Sequence, residues 1–162
     1  MMSKSENNTL IQVQDLKVHF PVAVGNIFKR KIGEIKAVDG ISFYIKRGET
    51  LGLVGETGSG KTTTGNAILQ LDPPTGGKIF FEGEDITGIG KKEIRKLRRR
   101  MQMIFQDPFS SLDPRMKVAD IIGEPIVVHK MARSRAEYRD QTAELLTVVG
   151  LDPSMGDRYP HE

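Results

Sequence analysis

Residues Gly55 to Thr62 read Gly-Glu-Thr-Gly-Ser-Gly-Lys-Thr, the spacing G-x-x-x-x-G-K-[ST] in which backbone amides, an ammonium and a hydroxyl converge on an anion. Gly55, Gly58 and Gly60 let the chain curl until successive N–H groups point inward, with no side chain to block the approach. Lys61 supplies a mobile positive charge for β- and γ-phosphates, and the Thr62 hydroxyl can take one position on a bridging magnesium ion. Glu56, Thr57, Ser59 and Thr63 complete the candidate nucleotide-binding set. Both Lys61 and Thr62 would open a helix, whose dipole favours negative charge at that end.

Such a loop works only between a strand and a helix. Thr50 to Val54 (Thr-Leu-Gly-Leu-Val) is a short apolar run suited to a buried strand, and Lys61 to Leu71 reads as a helix with Ala67, Ile68 and Leu71 on one side. A Gly-rich surface loop with an incidental lysine is the bland alternative, and the flanks argue against it.

Around this unit, Leu10 to Phe20 alternates through Ile11 and Val13, then Leu16, Val18 and Phe20, while Ala37 to Ile45 alternates through Val38, Ile41, Phe43 and Ile45. Both predict half-buried strands. Pro21 to Lys36, with Gly25, Asn26 and Gly33, reads as an extended connection between them. Pro73 to Gly77 is a break, and Lys78 to Phe81 a short strand entering a turn at Gly83. Met101 to Phe105 reads as another apolar strand. Beyond Pro114 the pattern turns helical: Val118, Ile121 and Ile122 form one apolar face, interrupted at Gly123 and Pro125, and a capping box, Ser134 with Glu137, opens a second helix that ends at Gly150.

The 162 residues, 38% of them hydrophobic, suffice for one domain with a sizeable core or one domain and a small subdomain. Absence of cysteine excludes disulfides and thiolate metal sites and fits a cytosolic protein. No run of about 18 apolar residues is present, so no membrane span is expected, and the polar start leaves no room for a signal peptide. Basic residues cluster at Lys29 to Lys31 and at Lys91, Lys92, Arg95, Lys96 and Arg98 to Arg100. The second cluster reads as the wet face of an amphipathic helix, with nucleic acid or anionic lipid as the other readings; no nucleic-acid module accompanies it. His129 and His161 have no second ligand at metal spacing and read as surface or capping residues.

Gly55 to Thr63, followed by Met103-Ile104-Phe105-Gln106-Asp107-Pro108, resembles the nucleotide-binding domain of ATP-binding cassette transporters. Val38 to Phe43, Lys46 to Gly55, Arg98 to Met116 and Tyr159-Pro160-His161-Glu162 narrow the resemblance to the ATP-binding subunits of bacterial oligopeptide and dipeptide importers, across Leu10 to Glu162. The resemblance implies an α/β P-loop NTPase core with an N-terminal antiparallel β subdomain and the start of a helical subdomain: an incomplete ATPase domain over 1–162. It places a disordered start at 1–9, the β subdomain and core at 10–113, and the helical start at 114–162.

By resemblance, Gln106 reaches the magnesium and attacking water, so that Thr62 and Gln106 are the metal-site residues, and its loop senses the membrane partner. Phe20 sits where the family stacks an aromatic on adenine. ATP and Mg2+ are the implied cofactors. The implied partners are membrane permease subunits, a second ATP-binding subunit, identical or related, and indirectly a substrate-binding protein, with the chain peripheral on the cytoplasmic face of the membrane. Asp113 stands where the family usually has Asn, a change read as turn chemistry beside Pro114.

The family's signature motif, its magnesium-binding Asp and catalytic Glu, and its switch histidine would all follow Glu162. No catalytic residue is therefore expected among these, nor ATPase activity from the chain by itself. Two functions stand from different classes: the front part of an ATP-hydrolysing import subunit, and a truncated nucleotide-binding module without hydrolysis. A different phosphate-loop enzyme, such as a small-molecule kinase, would leave the glutamine loop and the Tyr-Pro-His-Glu segment as coincidences.

Overall fold

The computed structural model describes residues 8–24, 30–107 and 111–162. The predicted disorder at 1–9 lies, for 1–7, outside the described residues; Thr9 already begins a strand. Two compact units divide between Met103 and Ile104.

The first unit is a four-stranded antiparallel sheet with two helices. Strands β1 (Thr9–Val24), β2 (Arg30–Lys46), β3 (Gly76–Phe81) and β4 (Glu84–Asp85) lie in the order β2-β1-β3-β4. Helix α1 (Lys61–Ile68) connects β2 to β3, and α2 (Lys91–Leu97) follows β4. Ile11, Val13, Leu16, Val18, Val38, Ile79 and Phe81 from the strands meet Ala67 of α1, Leu97 of α2 and Ile86 in one core.

The change of alternation between Val13 and Leu16 has a local cause. Asp15 takes φ 47, the pairing with β2 shifts there, and the Asp15 N–H donates to Ser42 Oγ at 2.8 Å. This irregularity returns Leu16 and Val18 to the core face, which strict period two would have denied them. A further shift between Val18 and His19 leaves Phe20 42% exposed.

Three expectations change. Pro21 to Val24 and Arg30 to Lys36 belong to β1 and β2 rather than to a connection, with Phe20 opposite Ile35, Pro21 opposite Glu34 and Val22 opposite Gly33, while 25–29, with Gly25 and Asn26, lie outside the described residues. Pro21 is tolerated because β3 pairs with β1 only as far as Lys17, so beyond it β1 has a neighbour on one side. Thr50 to Val54 and Met101 to Phe105 form no strand; Val54 and Ile104 are each 93% exposed. A run apolar on both faces becomes a strand only between two others, and among the described residues none pairs with either segment.

The second unit packs α3 (Val118–Val128) and α4 (Arg135–Val148) with a short 3₁₀ turn at Pro153–Asp157. Contrary to expectation, α3 runs unbroken through Gly123 and Pro125. Gly123 faces the Tyr138 ring, whose hydroxyl donates to the Ala119 carbonyl at 3.2 Å, so contact with α4 holds the helix where propensity would end it. The Ser134 cap forms, with the Glu137 N–H donating to Ser134 Oγ at 3.1 Å, and Glu137 Oε2 reaches one residue beyond the cap, accepting from the Arg133 N–H at 2.7 Å. α4 closes on Gly150 (φ 80), with the Leu151 N–H to the Leu146 carbonyl and the Gly150 N–H to that of Thr147. α3 closes with the same pair of bonds, yet its left-handed residue is Lys130 (φ 52).

Among the described residues no helix is long and apolar enough to cross a membrane.

Candidate functional site

The phosphate loop hangs between the end of β2 and α1. A turn from the Ser59 N–H to the Glu56 carbonyl, 3.2 Å, starts the curl; Gly58 (φ 84) and Gly60 (φ 90) complete it in the left-handed region. A Cβ on Gly60 would lie 2.3 Å from the Ala37 carbonyl oxygen, so glycine there lets the loop rest directly on β2. A Cβ on Gly55 would lie 2.6 Å from Ser59 Oγ, inside the curl.

Gly60 is also the residue before α1. Its carbonyl accepts from the Thr64 N–H at 2.8 Å and from Thr64 Oγ1 at 2.9 Å, which ties the helix start to the loop. No side chain caps α1 and its first turn holds no acid. The leading amides therefore keep their hydrogen-bonding capacity and the positive end of the helix dipole for an incoming anion.

Lys61 folds back over the loop. Its Nζ donates to the carbonyls of Gly55 (2.7 Å) and Glu56 (2.6 Å) and to Ser59 Oγ (3.3 Å), and makes no ion pair with any described carboxylate. An ammonium held only by neutral acceptors can exchange them for phosphate oxygens, to which it would bind more strongly. Glu56, Thr57 and Thr62 are exposed, and Thr63 is half-buried. The residues present thus fit a nucleotide's phosphates: a glycine curl that a Cβ on Gly55 would fill, a helix start with no side-chain cap and a mobile cation. Among the described residues no three His, Asp or Glu side chains could hold a metal by themselves, so a magnesium ion at Thr62 would need the phosphates' own oxygens.

The structure brings 55–63 together on one loop. Phe20 belongs to the same unit, on the β1–β2 hairpin that carries Ala37, opposite Ile35 and partly exposed. Gln106 is exposed in a bend of the second unit. His129 ends α3, and His161 stacks on Tyr159 with ring centres 5.7 Å apart. Asp113 makes the turn expected of it: its carboxylate accepts from the Arg115 N–H (2.9 Å) and from the guanidinium, which pulls its pKa down to about 2.

One residue escaped the sequence reading. His19 sits beside Phe20, with Nε2 2.9 Å from Asp39 Oδ1, Nδ1 3.6 Å from Glu34 Oε1, and its backbone N–H bonded to Thr75 Oγ1 at 3.0 Å. It ties β1 to β2 and to the residue before β3. Hydrogen bonds from Lys36 first, and from His19 second, hold the Asp39 carboxyl below its usual range. The available signal was a histidine with acids at 34 and 39 on the facing strand, legible only once the hairpin's register is known.

Comparison with known proteins follows the same lines. The family model described as ABC transporter matches residues 38–161. The chain is 47% identical over 162 residues to the oligopeptide transport ATP-binding protein AppF of Bacillus subtilis (strain 168), covering 99% of this chain and 49% of that one. It is 47% identical over 154 residues to OppF of the same organism, an oligopeptide transport ATP-binding protein, covering 94% and 48%. The chain thus spans about half the length of the curated relatives it matches. Among solved structures, the dimeric structure of MJ0796, a bacterial ABC transporter cassette, superimposes with a TM-score of 0.72 at 25% identity, over 94% of this chain and 62% of that one.

Proposed function

The chain belongs to the ABC transporter family, and on that premise we propose that it is part of the ATP-binding subunit of an importer for oligopeptides or dipeptides, with MgATP held at Gly55–Thr63. The observation that carries the reading is the Lys61 ammonium lying over a glycine curl whose amides remain available. The similarity to AppF and OppF supports the choice of peptide transport.

In this reading the backbone N–H groups of Gly58 and of residues 60–62 donate to the phosphates, and Lys61 leaves the Gly55 and Glu56 carbonyls to neutralise β- and γ-oxygens. Thr62 presents its hydroxyl to the metal position. A magnesium ion held there would supply positive charge to offset that of the phosphates. Phe20 offers a π-face to adenine from the hairpin. Gln106 couples the nucleotide to membrane permease subunits, and two ATP-binding subunits act together at the cytoplasmic face. Hydrolysis belongs to the whole subunit; what these 162 residues contribute is nucleotide capture.

Lys61→Ala tests the reading. It removes a charge-assisted contact of about 1.5 to 3 kcal/mol, so affinity for a fluorescent ATP analogue with magnesium should fall roughly 10- to 150-fold. Equal affinity of both versions would remove Lys61 from the site.

A further inference from the structure

The ten residues 91–100 carry seven of the chain's 24 lysines and arginines and a single acid, Glu93. Against a net charge of +3 for the whole chain, the +6 of this stretch leaves the rest at −3. The positive potential is therefore concentrated in one element. Leu97 of α2 is buried in the core and Ile94 is half-buried, while the basic side chains of α2 and of the turn after it are exposed.

Not all of these cations are free. Arg100 pairs with Glu82 and lies over the Phe81 ring at 4.8 Å, so it is bound into the sheet, and Arg95 has a partner of its own. Lys91, Lys92, Lys96, Arg98 and Arg99 are exposed and make no ion pair among the described residues. At 3.6 residues per turn, Lys92 and Lys96 form a basic stripe on the side of α2 away from the midline between Ile94 and Leu97, and Arg99 adds a further exposed cation in the turn after the helix.

We infer that this stripe is a contact surface for anionic lipid headgroups. A flat sheet of negative charge asks only for a density of exposed cations, which residues 91–99 have. A nucleic-acid site would also want stacking aromatics or base-reading amides, and 91–100 contains no Phe, Tyr, Trp, Asn or Gln. Because the remaining chain is net negative, an anionic surface attracts this element and repels the rest, so the same stripe orients the molecule on approach. The inference uses the reading above only in setting the chain beside a membrane.

The test is co-sedimentation of the 162-residue chain with phosphatidylcholine vesicles, with and without phosphatidylglycerol. Binding is expected only to the anionic vesicles, and should be lost at about 1 M salt, where the screening length is about 3 Å. Each cation removed should weaken partition about fivefold, so Lys92→Gln, Lys96→Gln and Arg99→Gln together should weaken it on the order of 100-fold. The exchange Lys92→Arg, Lys96→Arg, Arg99→Lys should bind as the parent does. Binding to neutral vesicles as strong as to anionic ones, or a triple Gln chain that binds like the parent, would overturn the inference. So would an RNA duplex, at matched phosphate concentration, that strips the chain from the vesicles. Nucleotide titration of the same variants keeps the two readings apart: the triple Gln chain should bind the fluorescent nucleotide unchanged, whereas absence of nucleotide binding by every version would count against the proposed function and leave the lipid result standing.

Discussion

Gly58 and Gly60 offer a matched pair for measuring what holds the phosphate loop against the sheet. Both have left-handed backbones, φ 84 and 90, but a Cβ at Gly58 meets nothing within 4 Å while one at Gly60 lies 2.3 Å from the Ala37 carbonyl. Gly58→Ala should therefore bear only the conformational penalty, about 1 to 2 kcal/mol. Gly60→Ala bears the same penalty and also a contact its neighbour cannot rotate away from. Ala37 lies in β2 between Lys36 and Val38, which are paired with His19 and Val18. Overpacking against such a group adds about 1 to 3 kcal/mol. With a urea m-value of about 2 kcal/mol/M, the midpoints of the two variants should differ by roughly 0.5 to 1.5 M. The assay is urea unfolding of the nucleotide-free chain followed by circular dichroism, then nucleotide titration of both variants. If the Gly60→Ala loop escapes by swinging off β2, the lost stability reappears as nucleotide affinity well below that of Gly58→Ala. Indistinguishable midpoints together with indistinguishable affinities would show that the loop is not seated on Ala37, and the account of the site would fail with it.

Ser134→Ala should destabilise the helical unit by about 1 kcal/mol through loss of the bond to the Glu137 N–H, read as a lower urea midpoint. Lys130→Gly should raise stability by roughly 0.5 to 1 kcal/mol, because φ 52 is strained for lysine and natural for glycine; a lower midpoint would contradict the closure drawn for α3. The Arg115 guanidinium holds Asp113 down at about 2, from an ordinary 3.8. The stability this carries is present above pH 3.8 and lost as pH falls through about 2, so Asp113→Asn should flatten the acid limb of a pH titration between those values, and an unchanged limb would sink the assignment.

The phosphate loop was legible because its chemistry is local: eight consecutive residues fix the curl, the cation and the helix start. The two long strands were legible from alternation, and the break at Asp15 did not hide them, since Leu16 and Val18 resume the pattern on the other parity. Pro21 to Val24 and Arg30 to Lys36 read as connection because proline and glycine punctuate loops more often than they sit in paired strands with one open side. Pro125 was misread because a contact far along the chain, Tyr138 against Gly123, outweighs helix propensity. Thr50 to Val54 and Met101 to Phe105 show the limit of composition, since a strand is a relation between segments and these find no partner among the described residues. His19 went unremarked because its acids come together only through register.

The exposed Leu51, Leu53 and Val54 in one unit, and Ile104 in the other, bear on how the chain behaves in solution. β1 pairs with a strand on either side of it, and neither apolar run takes part in those pairings. Each run has the composition of a β-strand, finds no partner strand among the described residues and carries no charge to blunt association with another chain. Recovery of intact material should accordingly depend on temperature, concentration and chaperones at the time of synthesis rather than on the strength of the finished sheet.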